Sequence, residues 1–378
     1  MSQLRVNTIR HTGASSDAVT LASDGTCTAN ITNNLSNRNL IINGAMQVAQ
    51  RGTSSTTNGY GSVDRFSVLS SGTDEAPTHE QVDVAAGTTP YTLGFRKALK
   101  ITNGNQTGGA GADDYIQART VLEAQDIANS GWNYLSTSSS ITISFWVKSS
   151  VAQNFYGNLW TQDGTQYNYI FETGSLTENT WTKVTKTIIG NSNLQFDNDN
   201  GAGLRIQLVA FMGTNKTGSV SLNTWAAFSG STITPDMTST WYTTNDATFE
   251  ITGVQLEVGS TATDFEHLSY GDTLAKCQRY CCVISGSSGL VMYNDIYSTD
   301  TISTWASLPV TMRITPSITQ TGSGGTSSSG FSYTNLAATP TLAATHPSGI
   351  IVYRGVATSA RTYIYLATSG ELTMEAEL

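Results

Sequence analysis

Between Thr248 and Val258 apolar and polar residues alternate, the pattern of a strand with one buried face. Phe249 and Ile251 hold odd positions, whereas Val254, Leu256 and Val258 hold even ones, so the alternation slips by one residue at Gly253. A slip at glycine predicts a β-bulge. Ile141, Ile143, Phe145 and Val147 alternate in the same way with Thr142, Ser144 and Trp146. Further strands are predicted in 93–101, 115–121, 154–169, 179–189 and 204–212, and one helical turn within 122–128. With no recurring helical period between them, these strands require antiparallel sheets packed face to face. The fold class is therefore mostly β, with a sandwich from about residue 37 onward.

After that last strand comes the one convincing helix start. Asp272 is a plausible N-cap, and Tyr270, Leu274, Cys277, Cys281 and Ile284 recur at steps of four and three. They form a stripe that could pack on the chain's own sandwich or on sister copies. The chain thus divides into an N-terminal β segment (1–36), a β-sandwich (37–268), a helical junction (269–284) and a small C-terminal β domain (285–378). In that last domain Leu308, Val310, Met312 and Ile314 read as a strand ended by Pro316. Residues 321–330 read as an exposed loop, and the alternation at 372–378 predicts an ordered end.

Composition narrows the function. Only 12% of the 378 residues are charged, the net charge is -9, and no basic stripe offers itself to a phosphate backbone, so nucleic acid is excluded as a partner. No apolar run is long enough to span a bilayer, and no leader pattern precedes the first strands, so neither membrane insertion nor secretion by signal is expected. Cys27, Cys277, Cys281 and Cys282 do not space as a disulfide framework and are expected as free thiols.

Enzymatic signals are poor. His11, His79, His267 and His346 lie far apart, and neither a nucleophile elbow nor a phosphate loop occurs. The acidic residues Asp113, Asp114, Glu172 and Glu266 cannot be paired by sequence into a glycosidase dyad. No cofactor is expected. Asp197 and Asp199 before Gly201 resemble half of a calcium loop, but Ala202 and Leu208 stand where such a loop needs Gly and Glu, which leaves a polar turn or a structural Ca2+. Aromatics amid uncharged polar residues are the better lead, since flat rings pack on sugars while amides bond hydroxyls. Tyr156, Trp160, Tyr167 and Tyr169 lie among Asn154, Gln162, Gln166 and Asn168, and Trp225, Trp241 and Tyr242 form a second group. The alternative for each ring is burial in the core.

Three segments carry a resemblance. NRNLIINGAMQVAQRG (37–52), VQLEVGSTATDFEHLSYGDTLAKCQRY (254–280) and LPVTMRITPSIT (308–319) resemble, in order, segments of bacteriophage tail-fibre and virion appendage proteins. SFWVKSS and NTWTKVT are similar to strands of carbohydrate-binding jelly-rolls. Two positions depart from the family pattern: Cys281 and Cys282 replace an aromatic pair, and Leu268 stands where arginine is frequent. The resemblance implies a homotrimer in the virion's tail, assembled in the host cytoplasm. Residues 1–36 would dock to another virion protein, and a jelly-roll or distal tip would bind host surface glycan without catalysis. A structural adaptor or decoration protein and a polysaccharide-degrading tailspike are the alternatives.

Overall fold

The computed structural model describes residues 6–15, 17–21, 23, 25, 27–29, 37–285, 291–295, 301–321, 331–333, 341–355, 361–366 and 371–378. A small antiparallel sheet of β1 (Thr8–Ile9), β2 (Val19–Leu21) and β3 (Cys27–Ala29) comes first. Its described apolar side chains Ile9 and Leu21 are exposed.

The sandwich follows. It contains β4 (Ser54–Ser55), β5 (Ser67–Ser71), β6 (Thr78–Asp83), β7 (Lys97–Thr102), β8 (Tyr115–Glu123) and β9 (Ser140–Ser149). Then come β10 (Asn154–Thr161), β11 (Tyr167–Ser175), β12 (Thr182–Ile189), β13 (Ala202–Met212), β14 (Trp225–Ala227) and β15 (Thr248–Val258). They form two six-stranded sheets, the first in the order β14-β11-β10-β13-β8-β5 and the second β12-β9-β15-β7-β6-β4, with antiparallel neighbours. The expected strand 154–169 is in fact the hairpin β10–β11, because Asp163 and Gly164 form its turn.

Alternation decides which side chains meet between the sheets. Phe155, Leu159, Phe171, Ile206 and Ala118 of the first sheet share one buried cluster with Ile143, Phe145, Phe249, Ile251 and Leu99 of the second. Phe155 lies 4.9 Å from Phe249 and Phe145 6.2 Å from Phe171, ring centre to ring centre, so the layers interlock. Burying each such side chain stabilises the fold by about 1.5–3 kcal/mol. The bulge predicted in β15 is present: register against β9 shifts between Thr252 and Gln255, and Gly253 has φ +64°. A Cβ there would stand 2.7 Å from the Phe95 ring, so shape as well as conformation requires glycine.

Short helices α1 (Thr89–Thr92), α2 (Ala124–Ala128), α3 (Thr240–Thr243) and α4 (Tyr270–Gln278) decorate the sandwich. The N-cap of α4 is Ser269, not Asp272: the Asp272 amide donates to Ser269 Oγ, which donates in turn to Asp272 Oδ2 at 2.6 Å. The predicted helical stripe is also broken. The helix stops at Gln278, and Cys281 and Ile284 lie in the strand β16 (Cys281–Ser285). The cause is Tyr280, whose hydroxyl donates to Glu123 and whose ring lies under the Arg65 guanidinium at 3.4 Å, which fixes the chain before it can turn again. Of the stripe, Cys277 and Cys281 are buried within the chain, Leu274 and Ile284 half-buried, and Tyr270 is 57% exposed.

Beyond β16 come β17 (Val291–Asp295), β18 (Thr301–Ser307), β19 (Ser317–Thr321), β20 (Phe331–Tyr333), β21 (Thr341–His346), β22 (Gly349–Gly355), β23 (Arg361–Leu366) and β24 (Glu371–Glu375). They make three small sheets, β16-β24-β19, β17-β23-β20 and β18-β22-β21. The strand expected at 308–314 is absent. Between Pro309 and Pro316 the backbone donates instead to loop carbonyls, Met312 to Pro347 and Arg313 to Arg279. The glycine-rich loop expected at 321–330 falls, after Thr321, outside the described residues, as do the opening glycines at 286–289.

Candidate functional site

The seven aromatic candidates separate cleanly. Trp241 and Tyr242 are fully buried, with Trp241 Nε1 donating to the Thr248 carbonyl and the Tyr242 hydroxyl to Asp114. Tyr169 and Trp225 pack edge to face in the core, and Trp225 Nε1 donates to the Ile189 carbonyl. Tyr167 packs against the same core. None of these five offers a ring to a ligand. Tyr156 and Trp160 remain, half-buried on the outer face of the first sheet.

Register assembles that face from five strands. One row runs Asn168, Trp160, Arg205, Val121, and the next Ile170, Asn158, Gln207, Arg119, Ser67. A third runs Glu172, Tyr156, Val209, Gln117, Leu69. With strands about 4.8 Å apart, the rows extend about 19 Å across the sheet. Asn158 is fully buried, and Asn168, Gln207 and Gln117 are 3%, 3% and 7% exposed. Yet both amide atoms of Asn158, the side-chain oxygens of Asn168, Gln207 and Gln117, and Nε of Arg205 have no hydrogen-bond partner. An unsatisfied buried polar group costs about 1–3 kcal/mol, and these atoms are sealed from solvent, so what the face offers to a ligand is the half-exposed group beside them in register, Tyr156, Trp160, Arg205 and Arg119.

Trp160 has a different role from the one its exposure suggested. Phe228 stacks on its ring at 3.8 Å and 7°, Arg205 lies 4.5 Å from the ring centre, and Nε1 donates to Gln166. The ring holds the Arg205 guanidinium in place. Burial and the nearby Arg119 lower the Arg205 pKa to about 10, and no ion pair among the described residues involves either arginine. Sequence reading identified Tyr156, Trp160 and Asn168. It missed Asn158, Gln117, Gln207, Arg119 and Arg205, whose positions on the polar beat of strands with an apolar inner face were the available signal.

Elsewhere the polar groups are occupied. Asp114 accepts from Tyr242 and the Gly111 amide, Glu172 from Asn154, and Glu266 from the Asn37 and Asn39 amides, so these carboxylates hold loops rather than converge on one point. His267 bonds the Leu93 carbonyl, as expected of a structural histidine. Asp199 accepts from the Gly201 amide and Asp197 from Gln195, and no group of three or more acidic, His or Cys residues among the described residues is arranged to hold a metal ion. Cys277, Cys281 and Cys282 are free and buried. A cavity of about 680 Å³ lies between α2, α4 and residues 37–42. No described helix is long and apolar enough to cross a membrane.

The arginines at the base of α4 are all paired. Glu123, fully buried, accepts both Arg279 Nε and Nη2 at 2.7 Å. Arg65 is bound to Glu377 and to the Val121 carbonyl, while Arg51 reaches Glu375 at 2.8 Å and Glu377 at 3.0 Å. Asp64 and Arg65 thus do not satisfy each other as neighbours in sequence: Asp64 takes Gln50, and Arg65 takes the C-terminal strand's extension. Through these bonds residues 375–378 are fixed on the sandwich, in keeping with the ordered end expected.

No family model matches the chain, and no curated protein matches it. Among solved structures it is similar to the enzymatically active domain of bacteriophage CBA120 tailspike protein 4, at 10% identity and TM-score 0.31 over 59% of this chain and 22% of that one. It is also similar to the CBM22-1-GH10 modules of Clostridium thermocellum xylanase 10B, at 10% identity and TM-score 0.28 over 59% of this chain and 30% of that one. A CBM4 structure matches at 14% identity and TM-score 0.28, over 57% of this chain and 98% of that one. The chain thus spans less than a third of the first two. At these identities and scores the functions of those proteins do not transfer. The chain's own geometry carries the fold: a mostly β protein whose body is an antiparallel sandwich.

Proposed function

We propose that this chain is a non-enzymatic glycan-binding protein whose ligand lies on the outer face of the first sheet. The observation that carries the reading is the half-exposed group Tyr156, Trp160, Arg205 and Arg119, brought together on one face by strand register. Tyr156 offers a ring to a sugar's C–H face, and the guanidiniums donate to its oxygens. The test is affinity electrophoresis of the full chain in gels containing host surface polysaccharide. Wild type is retarded, and Tyr156→Ala with Arg205→Ala migrates as in a gel without polysaccharide. Equal retardation of both would remove the site.

We further propose that the chain belongs to a phage virion appendage, as a homotrimer attached through residues 1–36. Supporting this is the meeting of the three resembling segments in space. Leu40 donates to the Leu256 carbonyl, Val254 to Gly44, Gln50 to Cys281 and Arg313 to Arg279. The exposed apolar residues Ile9 and Leu21 suit a segment that is covered by partners. Mass measurement in solution tests the stoichiometry, a mass of three chains being expected and one chain contradicting it.

A further inference from the structure

The outer face of the first sheet carries charge as well as amides. In a protein with 28 acidic and 19 basic residues a carboxylate partner for an arginine is easily supplied; Arg51, Arg65 and Arg279 near α4 each have one, and Arg313 beside them is bonded instead to the Ala376, Asn200 and Glu377 carbonyls. Arg205 and Arg119 have no carboxylate partner among the described residues. They sit on neighbouring strands in adjacent rows, Arg205 opposite Val121 and Gln207 opposite Arg119, which puts their backbones about 8 Å apart. Trp160 stacks on Arg205, and Ser67 Oγ accepts from Arg119 Nε at 3.0 Å. Both guanidiniums are therefore oriented and half-exposed, with Arg119 Nε taken by Ser67 and Arg205 Nε sealed, so the terminal nitrogens are the ones placed to bond an oxyanion. The acid of this face, Glu172, lies in the third row beyond Tyr156 and accepts from Asn154. Tyr60 is the other titratable group near both arginines.

We infer that the ligand of this face is an acidic glycan, its carboxylate or sulfate seated between Arg205 and Arg119 with a sugar ring against Tyr156. This rests on the glycan-binding reading and gives it a substrate class. Two like charges held together without a counter-ion repel each other in the empty protein, and burial adds to the cost. An anion on the ligand relieves both. The site thus selects against neutral sugars by leaving the arginines unpaired.

The full chain, with Arg205→Gln, Arg119→Gln and Arg205→Lys, is applied to an array of immobilised neutral, uronate-bearing and sulfated oligosaccharides at two salt concentrations, and each protein is melted alone. Wild type retains uronate-bearing or sulfated glycans, and the two acidic sets tell carboxylate from sulfate. Arg205→Gln and Arg119→Gln each weaken that binding by about tenfold to a hundredfold and flatten its salt dependence. Arg205→Lys restores part of it, and Arg205→Gln melts no earlier than wild type, which a merely structural arginine would not allow. Binding of neutral glycans with no loss in either glutamine variant would overturn the inference and leave the glycan-binding reading standing. Retention of none of the three classes would overturn that reading itself.

Discussion

Two groups of arginines in this molecule meet opposite fates. At the base of α4, Arg279, Arg65 and Arg51 are matched by Glu123, Glu377 and Glu375. On the outer face of the first sheet, Arg205 and Arg119 have no carboxylate among the described residues, and the amides between them lack partners. The first group completes its hydrogen bonds inside the chain and serves the fold. The second keeps two half-exposed guanidiniums without a carboxylate, beside amide atoms that are sealed from solvent, so the guanidiniums are what a ligand can reach. Removing groups should therefore damage stability at one place and binding at the other.

The largest effect is expected at Glu123. Glu123→Leu leaves the buried Tyr280 hydroxyl without its acceptor and Arg279, 34% exposed, without its carboxylate, and chemical denaturation should read a loss of about 2–3 kcal/mol. A loss below about 1 kcal/mol would place that network among weak surface pairs. Next comes acid. Burial alone would raise the Glu123 carboxyl, but hydrogen bonds from Arg279 and Tyr280 and the Arg279 charge outweigh it and hold its pKa below the ordinary value. Its contribution is complete above about pH 4.5 and lost as pH falls through the lower folded value. Asp64 runs the other way: burial, only partly offset by Gln50 and Arg51, raises its pKa, so ionising it costs stability as pH rises from about 3.8 through the folded value. Denaturation of wild type and Glu123→Gln across pH 3 to 6 should show the acid-side loss shrinking in the variant.

A smaller change tests the helix start. Ser269→Ala removes the acceptor for the Asp272 amide and should cost about 1 kcal/mol by thermal melting. The smallest effect belongs to the open face: Asn158→Ala should leave stability within about 1 kcal/mol of wild type, or raise it, because Asn158 makes no side-chain hydrogen bond to lose. A loss of about 3 kcal/mol there would mean that the amides support the fold, and the contrast between the two regions would disappear.

What the sequence revealed follows the same division. Alternation in 141–147 and 248–258 announced the sandwich, and the slip at Gly253 announced the bulge, because period-two burial is a local signal. Which strands become neighbours is not local. Tyr156, Arg205 and Arg119 lie on three different strands, and only pairing across them makes a site. Trp241 and Tyr242 look in sequence like an exposed pair, but α3 is a single turn pressed on the core, with both rings inward. The stripe through Cys281 and Ile284 fitted a helical step as well as a strand, and Tyr280, held by partners distant in sequence, decided it.

The most direct test is a crystal structure of the full chain with an oligosaccharide from the polysaccharide that retards it. Sugar density over Tyr156, Arg205 and Arg119, with a ligand oxygen within 3.2 Å of a guanidinium nitrogen, is the result expected of a hydrogen-bonded site. Sugar bound in the cavity beside α4 or on the sheets beyond it, with the Asn158 face bare, would contradict the account.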